Sequence, residues 1–179
     1  MGRLLGAPPG LRRWLDEPGS LTRRLRRHCG DQFCVRVLHT GWGRPWPDEA
    51  RRLGIPFGER VWVREVTLGE RDRPWLHARS IMPAAALRGP LRRLRHLGSR
   101  PLGSVLFGRY PVRRGAIEVA RLDRRDGLHR LTAARVAVAG GTLWARRSVF
   151  AIAGRGLLVT EVFLPALLEA ATSEPVHDV

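Results

Sequence analysis

Two charged residues stand where strand periodicity calls for apolar ones. In Leu157-Leu158-Val159-Thr160-Glu161-Val162-Phe163, alternation puts Glu161 on one face with Leu157, Val159 and Phe163. In Val61-Trp62-Val63-Arg64-Glu65-Val66-Thr67-Leu68, it puts Arg64 on one face with Trp62, Val66 and Leu68. A charge on an apolar face must be paired, desolvated or bound to a ligand, because burying it alone is costly. Two arrangements satisfy this. Arg64 and Glu161 form an internal ion pair, or they line a small enclosed pocket with a cationic end and an acceptor end.

Other chemistries lack their residues. Gly140-Gly141-Thr142 follows a strand-like run but has no P-loop lysine, and no Gly-x-Ser-x-Gly elbow occurs. The six histidines (His28, His39, His77, His96, His129 and His177) form no close metal-ligand pair. Cys29 and Cys34 have no second Cys/His cluster and read as free thiols in a reducing compartment. The expectation is a reaction without metal, nucleotide or other cofactor, in which binding and electrostatics suffice.

The elements that must hold these residues follow from pattern. Residues 1–10 read as a flexible leader, 11–170 as a single domain, and 171–179 as a polar tail. Leu11, Trp14, Leu15, Leu21 and Leu25 recur at near-helical intervals, broken at Glu17-Pro18-Gly19, which predicts two short helices. Ser20 is placed to cap the second. Strands are expected at Phe33–Leu38, Val61–Leu68, Trp75–Met82, Ala116–Leu122, Leu128–Val138, Thr142–Ile152 and Gly156–Pro165. His39–Arg60 reads as a loop, and residues 84–108 as short helices, the last capped by Ser99 with Pro101 in its first turn. Strands with short turns and inserted helices indicate an α+β fold with a mostly antiparallel sheet.

Four segments resemble the chorismate lyase family, whose members remove pyruvate from chorismate to leave 4-hydroxybenzoate. They are Trp62-Val63-Arg64-Glu65-Val66; Trp75-Leu76-His77-Ala78-Arg79-Ser80-Ile81-Met82-Pro83; Pro101-Leu102-Gly103-Ser104-Val105-Leu106-Phe107; and Leu143-Trp144-Ala145-Arg146-Arg147-Ser148 continuing to Leu158–Pro165. Their order and spacing match from about residue 12 to 166. The resemblance implies a six-stranded antiparallel sheet whose ligand site is closed by helix-turn-helix flaps. By position, it implies that Arg64 holds the ring carboxylate and Glu161 contacts the ring hydroxyl. It also implies that Leu21 and Leu102 offer backbone N–H groups to the carboxylate, and first-turn N–H groups suit an anion. Arg79, expected on a face with Trp75, His77 and Ile81, would take the enolpyruvyl carboxylate. Leu21 replaces a methionine common in the family, and residues 121–141 are longer than in its short members, read here as an extended hairpin. The product of such an enzyme enters ubiquinone synthesis by default.

Composition limits the alternatives. The chain has 179 residues, 44% of them hydrophobic and 27% charged, which suits one soluble domain with a true core. A net charge of +16 would ordinarily raise nucleic acid as a partner. However, all 32 basic residues are arginine, Asn is also missing, and the arginines are spread along the chain, which points to coding bias. No nucleic-acid partner is expected; the field would instead draw in a small dianion. No signal peptide and no membrane-length apolar run is present, so a cytoplasmic protein is expected, and the family resemblance implies a monomer. The runner-up is a non-enzymatic small-acid-binding domain of the same fold, as in bacterial transcription regulators. Such modules follow a DNA-binding domain, for which the short leader leaves no room.

Overall fold

The computed structural model describes residues 6–104, 111–138, 141–152 and 154–173. Its backbone is an antiparallel sheet of seven strands: β1 (Phe33–Gly43), β2 (Val61–Glu70), β3 (Pro74–Pro83), β4 (Val112–Arg114), β5 (Glu118–Leu122), β6 (Leu143–Ile152) and β7 (Arg155–Phe163). The order is β1-β2-β3-β7-β6-β4, with β5 also on β6. β4 pairs with residues 150–152 of β6 and β5 with residues 143–147, so the two short strands share one edge position. The sheet is therefore six positions wide, as expected, with a broken outer edge.

Helices cover both faces. On one lie α1 (Pro9–Leu15), α2 (Leu21–Cys29) and α5 (Pro165–Ser173), together with 3-10 turns at Ala84–Leu87 and Gly89–His96. α2 buries Leu21, Leu25 and Cys29, spaced four apart, and turns its arginines outward; the Ser20 side chain accepts from the Arg23 N–H at 3.3 Å. These helices form two apolar clusters on the same sheet face, one around Trp14, Leu25, Trp75 and Phe163, the other around Leu91, Leu94, Phe150 and Leu157. The cavity described below lies between them. On the opposite face, α3 (Pro47–Leu53) brings Leu53 against Val61, Val63, Ile81 and Leu158, and α4 (Gly127–Arg135) brings Leu128 against Leu122, Leu143 and Val162.

Several expectations need correction. Residues 128–138 form no strand: α4 occupies Gly127–Arg135, because helix-favouring Leu, Ala and Arg there bury one side against the sheet. The stretch expected as loop, His39–Arg60, contains the end of β1 and all of α3, whose Pro47 and first-turn acids are a helix-start signal. Within the stretch expected as a flexible leader, Ala7 is buried in the core and Pro9 opens α1, and residues 1–5 lie outside the described residues. Residues 102–104 begin a helical turn, but Val105, Leu106 and Phe107 lie outside the described residues, as does the tail from residue 174. No described helix is long and apolar enough to cross a membrane.

His77, on β3 beneath α4, makes the fold acid-sensitive. It is fully buried, and its Nδ1 lies 2.9 Å from the Thr132 hydroxyl, which itself donates to the Leu128 carbonyl at 2.8 Å. With that hydroxyl proton spent, Nδ1 must be the donor, and the buried Nε2 has no partner. Burial pushes the imidazole down to about 4, Glu65 pulls it up, and Arg79 and Arg135 push it down further. The folded value lies below the ordinary 6.5, so the stability this group contributes is present above pH 6.5 and lost as pH falls toward 4. From pH 7 to pH 5 the loss is about 2 kcal/mol. Urea unfolding at both pH values should show it, and His77→Leu should flatten the difference; an unchanged slope in that variant refutes the assignment.

Candidate active site

The cavity face of the sheet is set by strand alternation. β2 contributes Arg64, Val66 and Leu68, β3 Ala78 and Ser80, β7 Val159 and Glu161, and β6 Arg146 and Phe150. Ala78, Ser80 and Val159 are small, so the middle of this face is hollow. The turn before α2 and its first residues (Gly19, Ser20, Leu21, Thr22) close it from one side and Pro101, Leu102 and Gly103 from another. Water-molecule centres have about 60 Å³ of room inside. One water needs about 10–15 Å³ on that measure, so the space suits a small molecule.

Arg64 and Glu161 both line this cavity, yet they do not pair with each other. Register places Arg64 beside Ser80, Ser80 beside Val159, and Glu161 beside Ala78. Two strand steps and one residue pair along the strand separate their Cα atoms by about 12 Å. Arg64 is 3% exposed, and its Nη2 donates to the Gly98 and Arg100 carbonyls, both at 3.0 Å. Among the described residues no carboxylate pairs with it, and its Nε and Nη1 make no hydrogen bond. Burial without a counter-charge brings the guanidinium down to about 10. It is a desolvated cation beside an open space, the arrangement that binds an anion.

Glu161 is held at one oxygen only. Arg146 Nε donates to Oε2 at 2.8 Å, and the Arg146 Nη1 donates to the Trp14, Leu15 and Glu17 carbonyls at 3.2, 3.3 and 2.8 Å. Arg146 therefore ties the loose carbonyls at the end of α1 to the sheet while orienting Glu161. Oε1 has no partner among the described residues, which leaves an acceptor on the cavity wall.

Leu21 is the first residue of α2 and Leu102 the first of the helical turn at 102–104; both line the cavity. Among the described residues no acceptor takes either N–H, as befits first-turn groups.

Arg79 is placed elsewhere. β3 alternation puts Ala78 and Ser80 on the cavity face and Arg79 on the other, where Nε and Nη1 donate to Glu49 and Glu65, each at 2.7 Å. Its guanidinium stacks over Trp46, 4.4 Å from the ring centroid. Burial disfavours the charge, but the two carboxylates outweigh burial and hold the group above its ordinary value. Arg79 does not line the cavity, and the expectation that it meets the second carboxylate is corrected: His77 and Ile81 are its face-mates, as read, but that face is the far one.

Two arginines not singled out in the sequence stand at the cavity instead. Arg146 carried the same signal as Arg64, since alternation groups it with Trp144, Ser148 and Phe150 in an apolar strand. Arg114 carried none, being one of two adjacent arginines in a three-residue strand. Its Nε donates to the Ser148 hydroxyl at 3.0 Å, and its Nη1 faces the Glu17, Pro18 and Gly19 carbonyls, each at 3.3 Å.

Comparison with known proteins places the chain in a family. The family model for chorismate lyase matches residues 3–172. A protein of Methylococcus capsulatus named probable chorismate pyruvate-lyase is 48% identical over 161 residues, covering 89% of this chain and 98% of the relative. One of the same name from Aromatoleum aromaticum is 48% identical over 170 residues, covering 92% and 90%. Among solved structures, a GntR-family transcriptional regulator from Bacillus cereus superposes with a TM-score of 0.59 at 14% identity, covering 83% of this chain and 99% of that one. The ligand-binding domain of a putative GntR-family regulator from Bordetella bronchiseptica gives 0.54 at 20% identity, covering 75% and 87%. The regulators share the fold alone; the full-length match of sequence shows that this chain belongs to the chorismate lyase family.

Proposed function

We propose that this chain is a chorismate pyruvate-lyase, a cofactor-independent enzyme that converts chorismate into 4-hydroxybenzoate and pyruvate. The observation that carries the reading is the buried Arg64, without a carboxylate partner, facing the same cavity as the free oxygen of Glu161. A flat ring with a carboxylate at one end and a hydroxyl para to it fits between them. Arg64, with the Leu21 and Leu102 N–H groups, takes the ring carboxylate; Glu161 accepts from the C4 hydroxyl. The family names and membership support the same substrate. The protein would act as a cytoplasmic monomer, supplying 4-hydroxybenzoate to ubiquinone synthesis.

The reaction needs little beyond positioning, because losing enolpyruvate makes the ring aromatic. With the enolpyruvyl methylene held over the C4 hydrogen, six atoms form a cycle. The vinyl electron pair takes that hydrogen to form the pyruvate methyl, the C4–H pair becomes the C3–C4 double bond, and the C3–O pair becomes the ketone of pyruvate. Glu161 then serves as an orienter rather than an obligatory base, since Arg146 holds its other oxygen.

Incubating the purified chain with chorismate labelled with deuterium at C4 tests both points. The expected result is 4-hydroxybenzoate in step with pyruvate, with deuterium in the pyruvate methyl group. Binding without turnover would favour the effector-binding alternative and overturn the proposal. Turnover with complete loss of the label to solvent would keep the enzyme and refute the cyclic route.

A further inference from the structure

The cavity holds more positive charge than one carboxylate needs. Its lining contains three guanidiniums, Arg64, Arg114 and Arg146, and one carboxylate, Glu161. Arg146 and Glu161 neutralise each other at 2.8 Å, which leaves two cations without a side-chain counter-charge among the described residues. They stand at opposite ends of one row across the sheet. Arg64 lies beside Ser80, Ser80 beside Val159, and Val159 beside Ser148, to whose hydroxyl Arg114 Nε is bonded. Three strand spacings make that row about 14 Å long from Arg64 to Ser148, and both guanidiniums line the cavity over its hollow middle.

Arg114 is not consumed by its own contacts. Nε and Nη1 are taken by Ser148 and by the turn carbonyls, and Nη2 makes no hydrogen bond among the described residues. Burial and the nearby Arg146 push its charge down, against the pull of Glu161 and Glu17. A second anion entering the cavity would relieve both.

The geometry points to Arg114 as the group that binds the substrate's second carboxylate, the one on the enolpyruvyl arm, and so tunes the cavity for a dianion over the monoanionic aromatic product. This rests on the lyase reading above. Chorismate satisfies both free cations at once. After the C3–O bond breaks, 4-hydroxybenzoate keeps Arg64 occupied and leaves Arg114 empty, so substrate and product compete at one end of the site only. Arg114 also holds the Glu17–Gly19 carbonyls that close the cavity, so the charge it meets is coupled to the flap.

The test compares the dianion with the monoanion in Arg114→Gln and Arg114→Lys. For Arg114→Gln, kcat/KM for chorismate should fall 30-fold or more, while inhibition by 4-hydroxybenzoate changes less than threefold. Arg114→Lys should recover part of the loss, since it keeps the charge, and it stands in if the glutamine variant fails to fold. Arg64→Ala should weaken both ligands. Equal weakening of substrate and product by Arg114→Gln would mean that the residue only braces the flap, and no change in either would mean that it does not meet the substrate; each overturns the proposal. Calorimetry with isophthalate and benzoate separates this from failure of the lyase reading. Wild-type protein should favour the 1,3-dicarboxylate at least tenfold, and Arg114→Gln should lose that preference, whether or not chorismate turns over. A wild-type protein that binds the two alike sinks the inference by itself.

Discussion

Arg64→Ala is expected to lower kcat/KM for chorismate by at least 100-fold without destabilising the free protein. The activity loss follows from removing charge-assisted hydrogen bonds to the ring carboxylate, each worth about 1.5–3 kcal/mol, where about 1.4 kcal/mol is tenfold. Stability should hold because Arg64 is a buried cation with no carboxylate partner among the described residues, pushed down to about 10 by desolvation. Removing it frees two carbonyls, of Gly98 and Arg100, that water in the cavity can take. Arg64→Lys should recover little, because a point charge cannot replace a planar fork. Steady-state kinetics together with a thermal melt decide the matter. Wild-type turnover in the alanine variant, or a large drop in its melting temperature, would contradict this account.

Arg79→Met should do the reverse, destabilising the fold by about 3–5 kcal/mol. Its loss would strand Glu49 and Glu65, which are 3% and 2% exposed, on the far face of the sheet. Glu49 would keep only the Trp46 N–H at 2.8 Å, and Glu65 only the half-exposed Arg135 at 3.0 Å. Chemical denaturation at pH 7 measures the deficit. A variant as stable as wild type would show that this buried network contributes nothing to folding. Two arginines on adjacent strands thus differ in role because one faces a cavity and the other faces two acids.

The strands that carry the site were legible because β-periodicity is a local property. Alternation in residues 61–68 and 157–163 put Arg64 and Glu161 on apolar faces, and the structure sets those faces against one cavity. Local signals also foresaw the break at Glu17–Gly19 and the Ser20 cap. They failed where context decides. Residues 128–138 mix Leu, Ala and Val with His, Arg and Thr in a pattern too short to fix one period, and packing of Leu128 against Leu122, Leu143 and Val162 settles 127–135 as a helix. α3 went unseen because a seven-residue helix shows too few turns for a periodic stripe, although Pro47, Asp48 and Glu49 mark its start.

From the amino-acid order alone came the antiparallel α+β architecture, the two charged residues on apolar strand faces, and the absence of metal or nucleotide motifs. Each depends on neighbours within about one turn or a few strand residues. Only the tertiary structure decided which charges meet. It paired Glu161 with Arg146, left Arg64 without a carboxylate partner among the described residues, sent Arg79 to the far face, and brought Arg114 from a three-residue edge strand to the cavity. Coulombic pairing acts across space, between residues far apart along the chain, so no local pattern in the sequence encodes its partners.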